Sequence, residues 1–278
     1  MLQLLSHQFV QYAFIAGTLI SIICAIVGYF VVLRVQAFAA ESLSCVGFTG
    51  ATGAAIFGVS SLTGAFLFTV LVALGFGLMG KRLKGRDIEI GMVLSFALGL
   101  GVLLLKLYTS NATEAVGILF GSILSVTTND LYLSLSTGII ALTVLGFIFR
   151  PLLFASIDSE IAEARGVPIQ FLGVLFMLLL GVTIAEAILV VGVLLVFALL
   201  IAPAATAQHI THRPITSICL SVALGVVFIW GGMFLGLFFH LPVSFFIAAL
   251  AAITYLTTVP LVHIISPHVY NQVTSESE

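Results

Sequence analysis

Charge is what this chain has least of: only 7% of its 278 residues are Asp, Glu, Lys or Arg. A soluble domain needs many more to cover its surface, so a soluble globular fold is excluded. Proline is scarce, at seven, and the three cysteines, Cys24, Cys45 and Cys219, lie in apolar runs that offer no disulfide framework. A net charge of -2 gives no basic surface for nucleic acid. No Gly-x-x-x-x-Gly-Lys-Ser/Thr phosphate loop occurs, so the chain is not expected to hydrolyse ATP itself. No Lys or Arg precedes Arg34, so the basic region of a cleavable signal peptide is missing.

What is present is apolar: 61% of residues are hydrophobic and the mean hydropathy is +1.30. A helical crossing takes about 20 apolar residues, and the runs here are continuous, not alternating, which selects helices over a β-barrel. The expected fold is an all-α, polytopic integral membrane protein: one transmembrane domain over 1–278, with a short cytoplasmic tail from about 266. Spans are expected at 9–34, 39–57, 62–80, 88–108, 129–149, 171–188, 190–207, 215–238 and 243–265. The segment 39–57 and the pair 171–188/190–207 leave the number of crossings at eight or nine. Gly192, with the polar Thr183 and Glu186, points to a break within that pair, and Pro151, Pro214 and Pro242 are placed at span edges. Basic residues set the sidedness. Lys81, Arg82, Lys84 and Arg86 share one loop, which is therefore cytoplasmic; counting spans adds Arg34, Arg150, Arg165 and Arg213 to that side, and only Lys106 disagrees.

Polar residues inside such a chain are functional candidates. Glu186 has no Lys or Arg within twenty positions, and a carboxylate at mid-membrane costs about 2.5–3.5 kcal/mol on insertion scales. It reads either as a pathway or gate residue or as a hydrogen-bonding brace. His240, at the outer end of its span, reads as a metal ligand or an interfacial side chain. His209, His212, His263 and His268 lie near inner span ends. Glu114 to Val126 is apolar but too short to cross, and is expected to lie at the outer interface or to re-enter. On the cytoplasmic side, the stretch Ile157 to Ile169 holds Asp158, Glu160, Glu163 and Arg165 and is helix-prone from Ser159 to Arg165, ended by Gly166 and Pro168. The charge pattern fits a solvated connector or a docking helix.

The stretch Ser159-Glu-Ile-Ala-Glu-Ala-Arg-Gly-Val-Pro resembles the cytoplasmic coupling segment of permeases from the manganese/zinc class of bacterial ABC importers. Gly192 to Ala207, ending in Pro-Ala-Ala-Thr-Ala, resembles that family's signature helix, and Gly28 to Arg34 followed by Glu41-Ser-Leu-Ser resembles its first helix and next polar motif. The resemblance runs from about Phe9 to Leu261. It implies a permease of the bacterial inner membrane that passes zinc or manganese, and in some members iron, inward as substrate, with no permanently bound cofactor. It implies two ABC ATPase subunits, an extracytoplasmic metal-binding protein and a second permease copy, identical or a sister chain, as partners within the lipid bilayer. The coupling residues would be Glu160, Glu163, Ala164 and Gly166. ATP hydrolysis would belong to the partner chain, so this subunit is not an enzyme.

The family's second span carries an Asp and, four residues on, a His; here Glu41 and Cys45 stand at those places. That spacing keeps both on one helix face. Carboxylate with thiolate favours softer ions such as Zn(II), while a degenerate site with Cys45 as plain packing is the competing reading. The polar face of 39–57 is expected to line the path between two permease copies. A proton-coupled secondary carrier, with Glu186 as relay, and a permease for another small substrate such as a siderophore are the alternatives. The first has no use for an ATPase dock, and the second is usually longer.

Overall fold

The computed structural model describes residues 8–80, 87–108, 121, 128–239 and 241–265. The described residues form helices without a strand: α1 (Gln8–Leu33), α2 (Ala37–Ile56), α3 (Ser61–Met79), α4 (Asp87–Tyr108), α5 (Thr128–Ile157), α6 (Ser159–Ala164), α7 (Ile169–Val191), α8 (Val193–Ile210), α9 (Pro214–Phe239) and α10 (Val243–Ile265). Eight are long and apolar enough to cross a bilayer. The exception among the long helices is α2, whose Glu, Ser, Thr and Gly residues lower its hydropathy. The expected basic loop at 81–86, nearly all of the 114–126 segment and the tail from 266 lie outside the described residues.

The less apolar helix is the most enclosed. Residues 42–52 of α2 are buried without interruption, because α3 and α4 flank it and α7 and α8 close the remaining sides. Lipid tails are as apolar as leucine, so helices in a bilayer associate through close packing and hydrogen bonds, and small residues permit that approach. Gly50 and Gly64 face one another so closely that a Cβ on either would strike the other's carbonyl oxygen. A Cβ at Gly101 of α4 would meet the Phe48 ring and the Thr49 hydroxyl, and Gly28 of α1 lies against the backbone of Leu200 in α8. Hydroxyls complete the seams: Thr49 Oγ1 donates to the Ala97 carbonyl at 2.5 Å, and Ser221 Oγ of α9 donates to Ala25 O of α1 at 3.2 Å. Phe30, fully buried, sets its ring edge-on to Phe149 and Phe176 and so ties α1 to α5 and α7.

Three expectations are corrected. The span placed at 129–149 continues to Ile157, and Pro151 lies inside α5, not at its edge. A proline removes one N–H, but Arg150 to Ile157 still bury Leu152 and Ala155 against the bundle, which carries the helix past it. The break in the 171–207 pair falls on one residue, Gly192, whose φ of +86° and ψ of 157° are open to glycine alone. Thr183 and Glu186 do not interrupt α7, because Thr183 Oγ1 donates back to Leu179 O at 2.9 Å within the helix. Pro214 and Pro242 do stand where expected, as the first residue of α9 and just before α10.

The turns at 34–36 and 157–159, the end of α3 and the starts of α4 and α7 border a common cavity, so they share one face. That face bears the charge-rich α6 and is the one the basic residues assign to the cytoplasm.

Candidate functional site

Glu41 and Cys45 stand one turn apart on α2, starting one turn from its cytoplasmic end. Cys45 is within electrostatic reach of Glu41. Glu41 is half-buried, and its Oε2 is enclosed with no hydrogen-bond donor. A carboxylate oxygen in that state needs a proton, a water or a cation. Cys45 is 4% exposed and shares a small apolar cluster with Val46 and Ala97. Among the described residues no third His, Cys, Asp or Glu joins the pair. One chain therefore supplies at most these two side-chain ligands of those types within the described part. Ser42 and Ser44 are buried inside the subunit, with Ser44 Oγ donating to Ala40 O at 3.1 Å. The polar face of α2 is thus sealed within its own chain over 42–52, against the expectation that it lines a path between copies. Glu41 is the polar residue of that motif that remains partly open.

Glu186 is 5% exposed in the outer half of α7. Its Oε2 is in short contact with the Thr137 hydroxyl of α5, while Oε1 has no partner. Thr137 Oγ1 also lies 2.8 Å from Leu133 O. It carries one proton for both acceptors, so either Thr137 donates to the carboxylate or a protonated Glu186 donates to Thr137. Ser134, one turn earlier, is buried with an unpartnered hydroxyl, and Cys24 of α1 lies within electrostatic reach of the same carboxylate. The contact with Thr137 joins α7 to α5, whereas the sequence reading puts the brace at the break before Val190. Sequence reasoning passed over Ser134 and Thr137; their three-residue spacing, which stacks two hydroxyls on one face, was the available signal.

The structure separates the proposed ligands. Glu41 with Cys45 belongs to the inner part of α2 and Glu186 to the outer part of α7, and His240 lies outside the described residues. The His209 ring packs against Tyr255 with centroids 5.9 Å apart, a helix-end anchor; His212 is exposed, and the side chains of His263 and His268 lie outside the described residues.

The short helix α6 is built from its ends. Asp158 caps it, accepting from the backbone N–H of Glu160 at 3.0 Å and of Ile161 at 2.9 Å. Its end is a Schellman turn: Gly166, at φ +79°, donates to Glu163 O, and Val167 donates to Ala162 O. Ala162 is buried and Arg165 stacks 5.7 Å over the Phe154 ring, fixing α6 to α5. Glu160, Glu163, Ala164 and Gly166 are all exposed. Ile161, 49% exposed, adds an apolar side chain to that outer surface.

The ABC 3 transport family matches residues 6–261. The chain is 34% identical over 233 residues to the manganese transport system membrane protein MntC of Halalkalibacterium halodurans, covering 84% of this chain and 80% of that one. It is 32% identical to the manganese import system permease protein ScaB of Streptococcus gordonii, covering 90% of each. It is 28% identical to the high-affinity zinc uptake system membrane protein ZnuB of Buchnera aphidicola, covering 83% and 88%. Among solved structures, PsaBC from Streptococcus pneumoniae in complex with Fab matches with a TM-score of 0.81 at 31% identity, over 92% of each chain. An inward-facing putative metal-chelate type ABC transporter, at 18% identity and a TM-score of 0.75, shares the fold. The expected family is borne out: the chain belongs to the ABC 3 transport family, as a multi-pass permease of the bacterial inner membrane.

Proposed function

We propose that this chain is the translocating subunit of an ATP-driven importer of divalent metal, zinc or manganese, with Glu41 and Cys45 as its ligands to the passing ion. The enclosed, donor-free Oε2 of Glu41, one turn from a thiol, carries the reading. The names of the manganese and zinc relatives support the substrate class. The partly open Glu41 meets the ion first, and the enclosed Cys45 joins it only when the helices around α2 part. A transport site must release its ion, so two side chains completed by water suit it better than a closed four-ligand site. The metal is cargo delivered from outside by a binding protein. A metal-bound thiol is deprotonated, so Cys45 would hold the ion as thiolate and release it on regaining a proton.

In this reading α6 is the dock for the ATPase. Its Glu160, Glu163, Ala164 and Gly166 are exposed, Glu160 at the edge of the neighbouring cavity, while Ala162 and Arg165 tie it to α5, so a push on α6 moves α5. Glu186 then serves the scaffold, coupling α5 to α7 through Thr137.

Radioactive zinc and manganese uptake into vesicles, with the ATPase and binding protein present, tests the reading. Glu41→Gln removes the charge while keeping the shape, and uptake is expected to fall to background at unchanged expression. Normal uptake by both Glu41→Gln and Cys45→Ala would place the path elsewhere.

A further inference from the structure

A cavity of about 270 Å³ opens where the cytoplasmic ends of α1, α2, α3, α4, α5 and α7 meet beside α6. Arg34 lines it. The guanidinium rests on the Phe176 ring, 5.4 Å from its centroid, and Nη1 lies 3.5 Å from Ser156 Oγ. No carboxylate pairs with it among the described residues. Two carboxylates, Asp87 at the start of α4 and Glu160 on α6, line the same cavity and are exposed, again without an ion pair among the described residues. Among the described residues, one cation and two anions thus line the cavity without an ion pair between them. The first turns of α2, α4 and α7 also border the cavity, and that of α4 carries Asp87 itself.

That charge layout fits a ligand with an oxyanion at one end and an N–H cation at the other. The cavity lies at the cytoplasmic ends of the spanning helices, the part of such a chain that borders lipid headgroups. We propose that the cavity binds a phosphoethanolamine group, its phosphate on Arg34 and its ammonium on Asp87 and Glu160. Arg is suited to this role, because its planar fork meets phosphate with two parallel hydrogen bonds. A phosphocholine group fits less well: its quaternary ammonium has no N–H to give the carboxylates. A phosphoglycerol group has no cation at all.

The site concerns binding to the permease alone, so its test is independent of the metal-transport reading. The purified chain in detergent is offered phosphatidylethanolamine, phosphatidylcholine or phosphatidylglycerol, and separately free O-phosphoethanolamine. Bound lipid is counted by native mass spectrometry, and thermal unfolding is followed in parallel. Phosphatidylethanolamine is expected to be retained over the other two and to raise the unfolding temperature. Arg34→Gln weakens that retention by about tenfold or more, the worth of a charge-assisted bidentate pair. Asp87→Asn with Glu160→Gln keeps phosphate binding but removes the preference for ethanolamine over choline. If Arg34→Gln does not fold, that surface pair alone decides the matter. Displacement of the lipid by free O-phosphoethanolamine identifies a cytosolic source; retention of lipid alone identifies the leaflet. Equal retention of all three lipids by the wild type, or an ethanolamine preference that survives the carboxylate pair, overturns the proposal.

Discussion

At the residue scale, the proposed ligand Cys45, a thiol where the resemblance leads one to expect imidazole, has the sharpest consequence. Imidazole is a harder ligand than thiolate, so Cys45→His is expected to keep uptake and to shift preference from zinc toward manganese, measured by competition between the two radioactive ions. Cys45→Ser, a weaker ligand in the same apolar cluster, should take up less of both. Glu186 yields a different pattern. An amide can both accept from and donate to Thr137, so Glu186→Gln should retain uptake and thermal stability. Glu186→Ala removes the tie between α5 and α7 and should destabilise by about 0.6–2 kcal/mol, the range for a polar contact between membrane helices, read as a lowered unfolding temperature in detergent. Loss of uptake in Glu186→Gln at full stability would instead return Glu186 to the metal path.

At the element scale, close crossings and short caps dominate. Gly50 and Gly64 hold α2 and α3 at a separation that no side chain permits. Gly64→Leu is therefore expected to prevent folding, with the protein lost from the membrane fraction, whereas Gly99→Leu on α4, which meets open space, should be tolerated. On α6, Gly166→Ala places a Cβ on a left-handed residue and should cost about 1 kcal/mol of local stability without blocking the dock. Glu163→Lys with Gly166→Asp changes both the charge and the cap of the exposed surface. With α6 as the ATPase dock, the pair should leave the protein folded, let ATP hydrolysis continue and abolish uptake. Full uptake by that double variant, measured beside ATPase activity in the assembled transporter, would separate α6 from coupling.

At the scale of the whole molecule, the enclosure of α2 matters most. Its polar residues over 42–52 turn inward within one chain, so in the proposed reading the ion is met first by what α2 leaves partly open, Glu41. Two ligands per copy make the ion's hold depend on a second copy or on water. The reconstituted permease alone, without ATPase and binding protein, is expected to show no metal uptake, and addition of both should restore it. Uptake by the lone chain down a proton gradient would favour a secondary carrier.

The sequence by itself determined the solvent and the class of fold. A chain with 7% charge cannot face water, and its apolar runs match the bilayer's thickness, so the long helices and their ends could be read to within a few residues at α1, α4, α9 and α10. The α6 cap was equally legible, because Asp158 and Gly166 act through their own backbone neighbours. What lay beyond reach depends on contacts between distant segments. Pro151 has the same local chemistry whether it ends a helix or continues one, and only the burial of Leu152 and Ala155 against other helices decided it. That Glu186 meets Thr137, 49 residues away, could not be read from either stretch alone. Local rules fix which residues become helix. Which polar side chains meet, and which face of a glycine-rich helix is sealed, is set by close packing among helices that no single stretch of sequence contains.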